Sequence, residues 1–164
     1  MAEVVHLKQG ATGKQNNNCD PVVVALEKQF TIEDCISSSI VPIFVKISGD
    51  TNPIHTEIAD VKTFGIPCEF TPMHGMLLAS RVEGLIWNII LNNSPEPVRA
   101  VLVDGLPRFK RFMRVDEPFT LKVHFAHIGK RANQLLFRLA LEVSQRGQVC
   151  LEGEMRTAIY KKKQ

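Results

Sequence analysis

The sequence lacks the closely spaced cysteines of a zinc site or of a disulfide-stapled domain. Its four cysteines, Cys19, Cys35, Cys68 and Cys150, are far apart, and none forms a Cys-x-x-Cys pair or has a histidine cluster nearby. Structural zinc sites usually take their ligands from such pairs. We therefore predict no metal ion, and a reducing compartment.

The sequence also lacks the apolar segments that target or anchor a protein. Its first twenty residues contain neither the continuous apolar core of a signal peptide nor the arginines of a transit peptide. The longest apolar stretch, Met76 to Leu91, is interrupted by Arg81, Glu83 and Asn88 and is too short to span a bilayer. These absences predict a cytoplasmic protein with no membrane span.

The composition indicates a single domain whose charge is unevenly distributed. The chain has 164 residues, of which 45% are hydrophobic, and is long enough to bury a core without disulfide bonds or structural metal ions. Residues 1–98 carry 6 Lys and Arg against 11 Asp and Glu, a balance of −5, whereas residues 99–164 carry 14 against 6, a balance of +8. This asymmetry predicts an anionic partner for the C-terminal half, which is a phosphate, an acidic protein or a nucleic acid.

The N-terminal part is predicted to contain a tail, a strand and a short helix. We expect a polar, flexible tail over residues 1–20 and one domain over residues 21–164. The valine-rich stretch from Pro21 to Phe30 predicts a first strand. Thr31 and Asp34 have the spacing of a capping box, which predicts that a helix begins there.

Three further helices are predicted before the sheet. The first begins near Ser39, with Pro42 tolerated in its first turn. The second runs from Thr56 to Phe64 and is stopped by Gly65. The strongest covers residues 75–91 and is apolar nearly all round, so it must be surrounded by protein.

The C-terminal half predicts an antiparallel sheet that surrounds this helix. Residues 98–104 form a strand candidate, and apolar and polar residues then alternate over residues 119–125, 135–143 and 149–159. Short turns are expected at Gly129-Lys130 and Arg146-Gly147. A meander of this kind has one solvent-exposed face. The fold class is therefore α+β, an antiparallel sheet wrapped around one long helix.

Asp50 and His55 form the first candidate catalytic pair. They are five residues apart, with a proline-containing turn between them that can bring a carboxylate and an imidazole to one water molecule. Hydration of a conjugated double bond needs such groups, one to take a proton from water and one to return a proton to the α-carbon. Where the double bond is conjugated to a thioester, the reaction also needs hydrogen-bond donors at the thioester oxygen. Gly75 opens the long helix, where backbone N–H groups are left free and a substrate can approach closely.

Two motifs resemble those of the MaoC-like (R)-specific enoyl-CoA hydratases and acyl dehydratases. The string SGDTNPIH ends at His55, and HGMLLAS begins nineteen residues later at His74. A third stretch, FKRFMRVDEPFTLKV, is similar to a strand segment of the family, and the resemblance covers roughly residues 44–160. It implies a hot-dog fold, a homodimer that extends the sheet across the interface, and a place in fatty acid metabolism.

The resemblance assigns roles to individual residues. It implies that Asp50 and His55 hold the water, that Asn52 fixes the geometry of the turn, and that Gly75 supplies the backbone oxyanion donor. The expected product is a (3R)-3-hydroxyacyl thioester, formed by reversible syn addition of water to a trans-2-enoyl thioester. No metal or redox cofactor is expected, because the thioester itself acidifies the α-position, and coenzyme A or phosphopantetheine is part of the substrate.

Candidate substrate-binding residues are Asn52, His74 and the cations of a basic run at residues 108–114. His74 fits a structural histidine that positions the loop better than a second base. Arg108, Lys110 and Arg111 fit either a solvated strand face or the recognition of phosphate, from coenzyme A or from an acyl carrier protein. Nucleic acid fits poorly, because two phenylalanines among these cations are too few for a stacking platform.

Two other functions remain open, and two departures from the family pattern bear on them. A hot-dog thioesterase would direct water to the carbonyl carbon, which the paired histidine argues against. A non-catalytic acyl-thioester binding module has no evident use for the pair. The segment over residues 31–49 is several residues longer than the helix that usually precedes the motif, which leaves the preferred length of the acyl chain open. In the third segment the usual Pro and Gly are replaced, which affects a turn more than the chemistry.

Overall fold

The computed structural model describes residues 8–9, 20–105 and 107–162. The helices within these ranges are α1 (Pro21–Leu26), α2 (Val41–Ser48), α3 (Ile58–Thr63) and α4 (Gly75–Asn93). Short 3-10 turns cover Ser38–Ile40 and Pro53–His55. The strands are β1 (Lys8–Gln9), β2 (Gln29–Cys35), β3 (Val98–Asp104), β4 (Arg108–Phe109), β5 (Pro118–Arg131), β6 (Gln134–Gln145) and β7 (Gln148–Lys161).

The strands form one antiparallel sheet in the order β1-β2-β5-β6-β7-β3, and β4 pairs with the first half of β7. The predicted meander is confirmed, because β5, β6 and β7 are consecutive neighbours. The predicted strand over residues 98–104 is also confirmed as β3. It pairs with β7 on one side only, so it is an edge of the sheet.

The core lies between helix α4 and the sheet, and the buried face of α1 adds to it. Large aromatic side chains from β5 and β6 are fully buried in the same cluster, among them Phe119, Phe125 and Phe137. Each such burial contributes about 1.5–3 kcal/mol. The arrangement confirms the predicted α+β fold class. The buried residues of α4 are Leu77, Leu78, Val82, Leu85, Ile86, Ile89 and Ile90.

The predicted strand from Pro21 to Phe30 is wrong over most of its length, because the chain forms helix α1 there. The Asp20 side chain caps the helix by accepting the Val22 N–H at 3.2 Å, and a proline occupies the first turn. Val22, Val23 and Leu26 then lie on one buried face. Valine favours strands only weakly, so the cap and the tertiary burial decide the local structure.

The predicted helix at Thr31 is also wrong, because these residues form strand β2. Phe30 and Ile32 alternate into the core with period two. Asp34 does not cap a helix, since its carboxylate accepts two hydrogen bonds from Arg81 of α4 at 2.6 and 2.8 Å. A capping spacing carries little weight where alternation allows a strand to pair.

The other helix predictions are confirmed in place. A 3-10 turn followed by α2 begins at Ser38, with Pro42 in the first turn of α2. Helix α3 lies within the predicted stretch from Thr56 to Phe64, and α4 begins at Gly75 as predicted.

One of the two predicted turns is displaced. The turn at Arg146-Gly147 is confirmed, and both of its residues have positive φ, which suits a two-residue hairpin. The turn predicted at Gly129-Lys130 is wrong, because β5 continues to Arg131 and the chain reverses after it. Gly129 lies instead at a register shift in the β5–β6 pairing.

The predicted tail over residues 1–20 lies largely outside the described residues. Lys8 and Gln9 pair with Thr31 and Phe30 of β2. In the described ranges, none of the helices has both the length and the hydropathy needed to cross a membrane.

Candidate active site

The turn from Asp50 to His55 folds back on itself through its own hydrogen bonds. The Asn52 backbone N–H donates to Asp50 Oδ1 at 3.0 Å, and Asn52 Oδ1 in turn accepts the Ile54 N–H at 3.3 Å. Pro53 opens the 3-10 turn that ends at His55. Asn52 therefore holds the turn in shape, as the sequence predicts.

The N-terminus of α4 brings a third side chain to this turn. His74 is the N-cap residue of the helix, and its Nε2 lies 2.6 Å from Asp50 Oδ2. His55 Nδ1 lies 2.9 Å from the Pro72 carbonyl oxygen. One ring nitrogen or carboxylate oxygen from each of Asp50, His55 and His74 lies within 4.8 Å of the other two. The structure therefore brings the predicted pair together and adds His74 to it.

The local hydrogen bonds keep Asp50 ionised. The Asn52 backbone N–H and, next in size, the His74 side chain hold the pKa of the Asp50 carboxyl below its ordinary value. The side chain remains 36% exposed. A charged carboxylate that is open to solvent is available to accept a hydrogen bond from a water molecule, and its lowered pKa makes it a weaker base than an ordinary carboxylate.

The same three side chains have the donor types of a metal site, but their hydrogen bonds do not fit one. His74 Nδ1 accepts the Met76 N–H at 3.1 Å, so the proton of the neutral ring is on Nε2. A nitrogen that carries a proton has no lone pair for a metal. Binding of a metal at Nε2 would therefore break the cap of α4, and the prediction of no metal stays a prediction.

Gly75 lies at the mouth of an apolar cavity beside the pair. Its backbone N–H has no hydrogen-bond partner among the described residues, as expected in the first turn of a helix. The cavity has a volume of about 190 Å³. Its lining consists of His55, Met73, Gly75, Leu78, Phe109, Arg111, Phe112 and Met113. A thioester carbonyl that enters this cavity would therefore lie beside the backbone of Gly75.

Phe109 lies directly over Gly75. A Cβ atom at position 75 would be 3.1 Å from both Cε1 and Cζ of the Phe109 ring, which is tighter than ordinary van der Waals contact. The ring is half-exposed, so it also forms part of the cavity mouth. Glycine is needed here for close approach and not for an unusual backbone conformation.

The structure separates the three cations of the basic run. Arg111 lines the cavity and also an adjoining groove of about 590 Å³, which Lys110 lines as well. Lys110 forms an ion pair with Glu152 at 2.7 Å. Arg108 instead lines a depression on the outer face of the sheet, together with Lys122 and other polar side chains. Arg108 is therefore not brought to the cavity of His55.

Sequence reasoning missed the residues that shape the cavity. Met73 and Met113 are buried in its wall, and the Met73 N–H donates to the Met113 carbonyl at 2.8 Å. Met73 directly precedes the His74 motif, which is a signal of its position. Met113 has no such signal, because its contact with residue 73 joins segments forty residues apart.

Comparison with known proteins identifies the fold. No protein-family model matches the sequence, and no curated protein matches it. The structure is similar to the (R)-hydratase from A. caviae involved in PHA biosynthesis, with a TM-score of 0.65 and 21% identity over 87% of this chain and 98% of that one. It is similar to the MaoC-like dehydratase from Rhodospirillum rubrum, with a TM-score of 0.63 and 9% identity over 85% and 95%.

A member of the thioesterase superfamily has the same architecture. Thioesterase superfamily member 2 from Mus musculus matches with a TM-score of 0.50 and 13% identity over 94% of this chain and 80% of that one. These likenesses show that the chain has the hot-dog fold that (R)-hydratases, MaoC-like dehydratases and thioesterases share. A fold does not determine a reaction, so the choice among them depends on the site.

Proposed function

We propose that this protein is an (R)-specific enoyl-thioester hydratase of the MaoC-like type. It adds water reversibly to a trans-2-enoyl thioester and gives a (3R)-3-hydroxyacyl thioester. The observation that carries the proposal is the meeting of Asp50 and His55 beside an apolar cavity that both His55 and Gly75 line. A thioesterase needs no such pair aimed at the β-carbon, and a binding module needs no pair at all.

The proposed reaction uses each of these groups once. Asp50 and His55 hold a water molecule, and one of them removes its proton as the oxygen bonds to C3. The pair returns a proton to C2 on the same face, which completes the addition of H and OH. The Gly75 N–H donates to the thioester oxygen, where negative charge develops in the enolate-like transition state. No metal or redox cofactor takes part in these steps.

The groove beside the cavity suits the distal part of the substrate. Lys110 and Arg111 supply positive charge, and Phe70 and Phe112 supply apolar wall. We propose that the groove receives the phosphopantetheine of coenzyme A or of an acyl carrier protein. Because Lys110 is paired with Glu152, Arg111 is the better placed of the two to contact a phosphate.

The first experiment is a spectroscopic assay of hydration. Loss of the conjugated-thioester absorbance when crotonyl-CoA meets the protein supports the proposal, provided that no free thiol appears. Release of free coenzyme A, measured with a thiol reagent, would identify a thioesterase. Binding of the thioester without either change would identify a non-catalytic module.

The cavity predicts a preference for short acyl chains. A dry cavity of roughly 150 Å³ accommodates a benzene-sized ligand, so a volume of about 190 Å³ suits an acyl group of about four to six carbons. We expect kcat/KM to be highest for crotonyl- or hexenoyl-CoA and to fall for decenoyl-CoA. Replacing Met113, which is buried in the wall, by alanine should raise the ratio of kcat/KM for decenoyl-CoA to that for crotonyl-CoA about tenfold.

Comparing two substrates on one variant cancels the loss of stability that the Met113→Ala cavity brings. Leu91→Ala is a suitable control, because Leu91 is exposed at the far end of α4. An unchanged substrate ratio in Met113→Ala would show that the acyl chain does not enter this cavity.

We also propose that the protein is a homodimer joined through the edge strand β3. Val101 and Val103 lie half-exposed on that strand, and an apolar edge that is left unpaired invites association. Light scattering should therefore give about twice the mass of one chain. Val103→Lys should shift the equilibrium toward monomer, and a monomeric parent protein would contradict the proposal.

A further inference from the structure

The two histidines of the site lie side by side but have different hydrogen-bond partners. Their ring centroids are 4.7 Å apart. His74 Nδ1 accepts the Met76 backbone N–H at 3.1 Å, and an amide N–H can only donate. Nδ1 therefore has no proton, and the neutral His74 ring carries its proton on Nε2. That nitrogen is 2.6 Å from Asp50 Oδ2, so it donates to the carboxylate.

His55 has the opposite arrangement. Its Nδ1 is 2.9 Å from the Pro72 carbonyl oxygen, which can only accept. Nδ1 of His55 therefore carries the proton, and Nε2 keeps its lone pair. His55 is the histidine that lines the cavity. Of the two rings, only His55 can offer a basic nitrogen to a bound water molecule.

We propose that His74 is a positioning residue that holds the Asp50 carboxylate through its Nε2–H and leaves the proton transfer to Asp50 and His55. The proposal rests on the proposed hydratase function. It extends the sequence-based interpretation of His74 as a structural histidine that positions the loop, and it gives His74 no direct contact with the substrate. His74 contributes no base of its own, because both of its ring nitrogens are already engaged.

The position of the carboxylate is then fixed from two directions. Asp50 Oδ1 accepts the Asn52 N–H from its own turn, and Oδ2 accepts Nε2–H from the helix N-cap. The His74 ring is itself held, because it packs 4.9 Å from the ring of Phe44 in α2. The catalytic turn is thereby tied to the start of α4, where Gly75 presents its N–H. One residue sets the distance between the proposed proton-transfer pair and the proposed oxyanion donor.

Two variants separate positioning from capping. In His74→Asn the short side chain keeps an acceptor near the Nδ1 position and can cap α4, but it cannot reach Asp50. In His74→Gln the longer side chain keeps a donor near the Nε2 position but loses the cap. We expect His74→Asn to keep its Tm and lose about 10²-fold in kcat with little change in KM, because a misplaced catalytic group lowers the rate.

The Gln variant should behave in the opposite way. We expect its Tm to fall by about 3 °C while its kcat stays within about threefold of the parent value below that temperature. A role limited to capping predicts the same Tm values but the reverse pattern of activity, with the Asn variant fully active and the Gln variant impaired. That reverse pattern would overturn the proposal.

A spectroscopic measurement tests the inference without substrate. Nitrogen-15 NMR of the imidazole rings at alkaline pH should show the Nε2–H tautomer for His74 and the Nδ1–H tautomer for His55. The Nδ1–H tautomer at His74 would overturn the proposal even if the protein is a hydratase. Opposite tautomers in a protein without hydratase activity would leave the positioning geometry intact and refute only the proposed reaction.

Discussion

Replacing Asp50 by asparagine or His55 by glutamine is expected to lower kcat/KM for the hydration of crotonyl-CoA by about 10³-fold. Proton transfer by a positioned side chain contributes about 10²–10⁴-fold, and each substitution removes one of the two groups that make it. The side-chain amide of the Asp50→Asn variant keeps an acceptor for the Asn52 N–H or the His74 ring, so the turn should keep its shape. The assay is the loss of conjugated-thioester absorbance, with circular dichroism and Tm as tests of folding.

The double variant carries additional information. Because the two groups act on one water molecule, Asp50→Asn combined with His55→Gln should be little worse than either single change. A fully additive loss would show that the two residues act in separate steps. His124→Gln is the matched control, because His124 is an exposed histidine that lines the depression on the outer face of the sheet. A folded single variant that retains a tenth of the activity would exclude that residue from proton transfer.

The sequence predicts the parts of this molecule that depend on strong local patterns. The meander follows from period-two alternation in β5, β6 and β7, and α4 follows from a long apolar stretch bounded by glycine and asparagine. Apart from the displaced turn at Gly129-Lys130, the errors in secondary structure lie in the N-terminal segment. Valines at α1 and a capping spacing at Thr31 are weak local signals. The Asp20 cap and burial outweigh the first signal, and pairing of β2 with β5 outweighs the second. The Asp34 carboxylate, which a helix cap would use, is engaged by a distant contact with Arg81. The sequence of the N-terminal segment alone cannot indicate that contact.

The candidate site also has parts that the sequence predicts and parts that need the fold. Asp50, Asn52 and His55 belong to one turn, so their convergence can be predicted from spacing. The bond from His74 to Asp50 joins residues twenty-four positions apart, and the cavity wall at Met113 is more distant still. The separation of Arg108 from Arg111 depends on which face of the sheet each side chain occupies. These features need the fold, because spacing alone does not define them.

Because hot-dog proteins with different functions share one fold, the evidence for a function must come from the site. Hydratases and a thioesterase share it with this chain at identities of 21% or less. Both reactions need an apolar cavity and donors for the thioester oxygen, so neither feature distinguishes them. The proposal therefore rests on the Asp50 carboxylate and the His55 imidazole, which lie close together with His55 in the cavity wall. Tests of function should therefore alter this pair and the oxyanion donor separately.

Replacing Gly75 by valine is expected to lower kcat/KM by about 10²-fold without unfolding the protein. The N–H of residue 75 remains, but access to it is lost, and loss of an oxyanion donor costs about 10²–10³-fold. A Cβ atom alone would lie 3.1 Å from the Phe109 ring, and the valine methyl groups extend further into the cavity. The helix propensity of valine differs from that of glycine by only a few tenths of a kcal/mol, and the half-exposed Phe109 ring can move aside, so the protein should stay folded.

Gly84→Val provides the control, because Gly84 lies in the same helix and a Cβ there meets nothing within 4 Å. Gly75→Ala should be intermediate, with a loss of a few-fold, because the half-exposed Phe109 ring can shift by a few tenths of an ångström. Adding Phe109→Ala to Gly75→Ala distinguishes two causes. Recovery of activity would show that the displaced ring closes the cavity, whereas no recovery would show that the methyl group itself blocks the thioester. Full activity in a folded Gly75→Val variant would remove Gly75 from the mechanism, because no thioester oxygen could then reach its N–H.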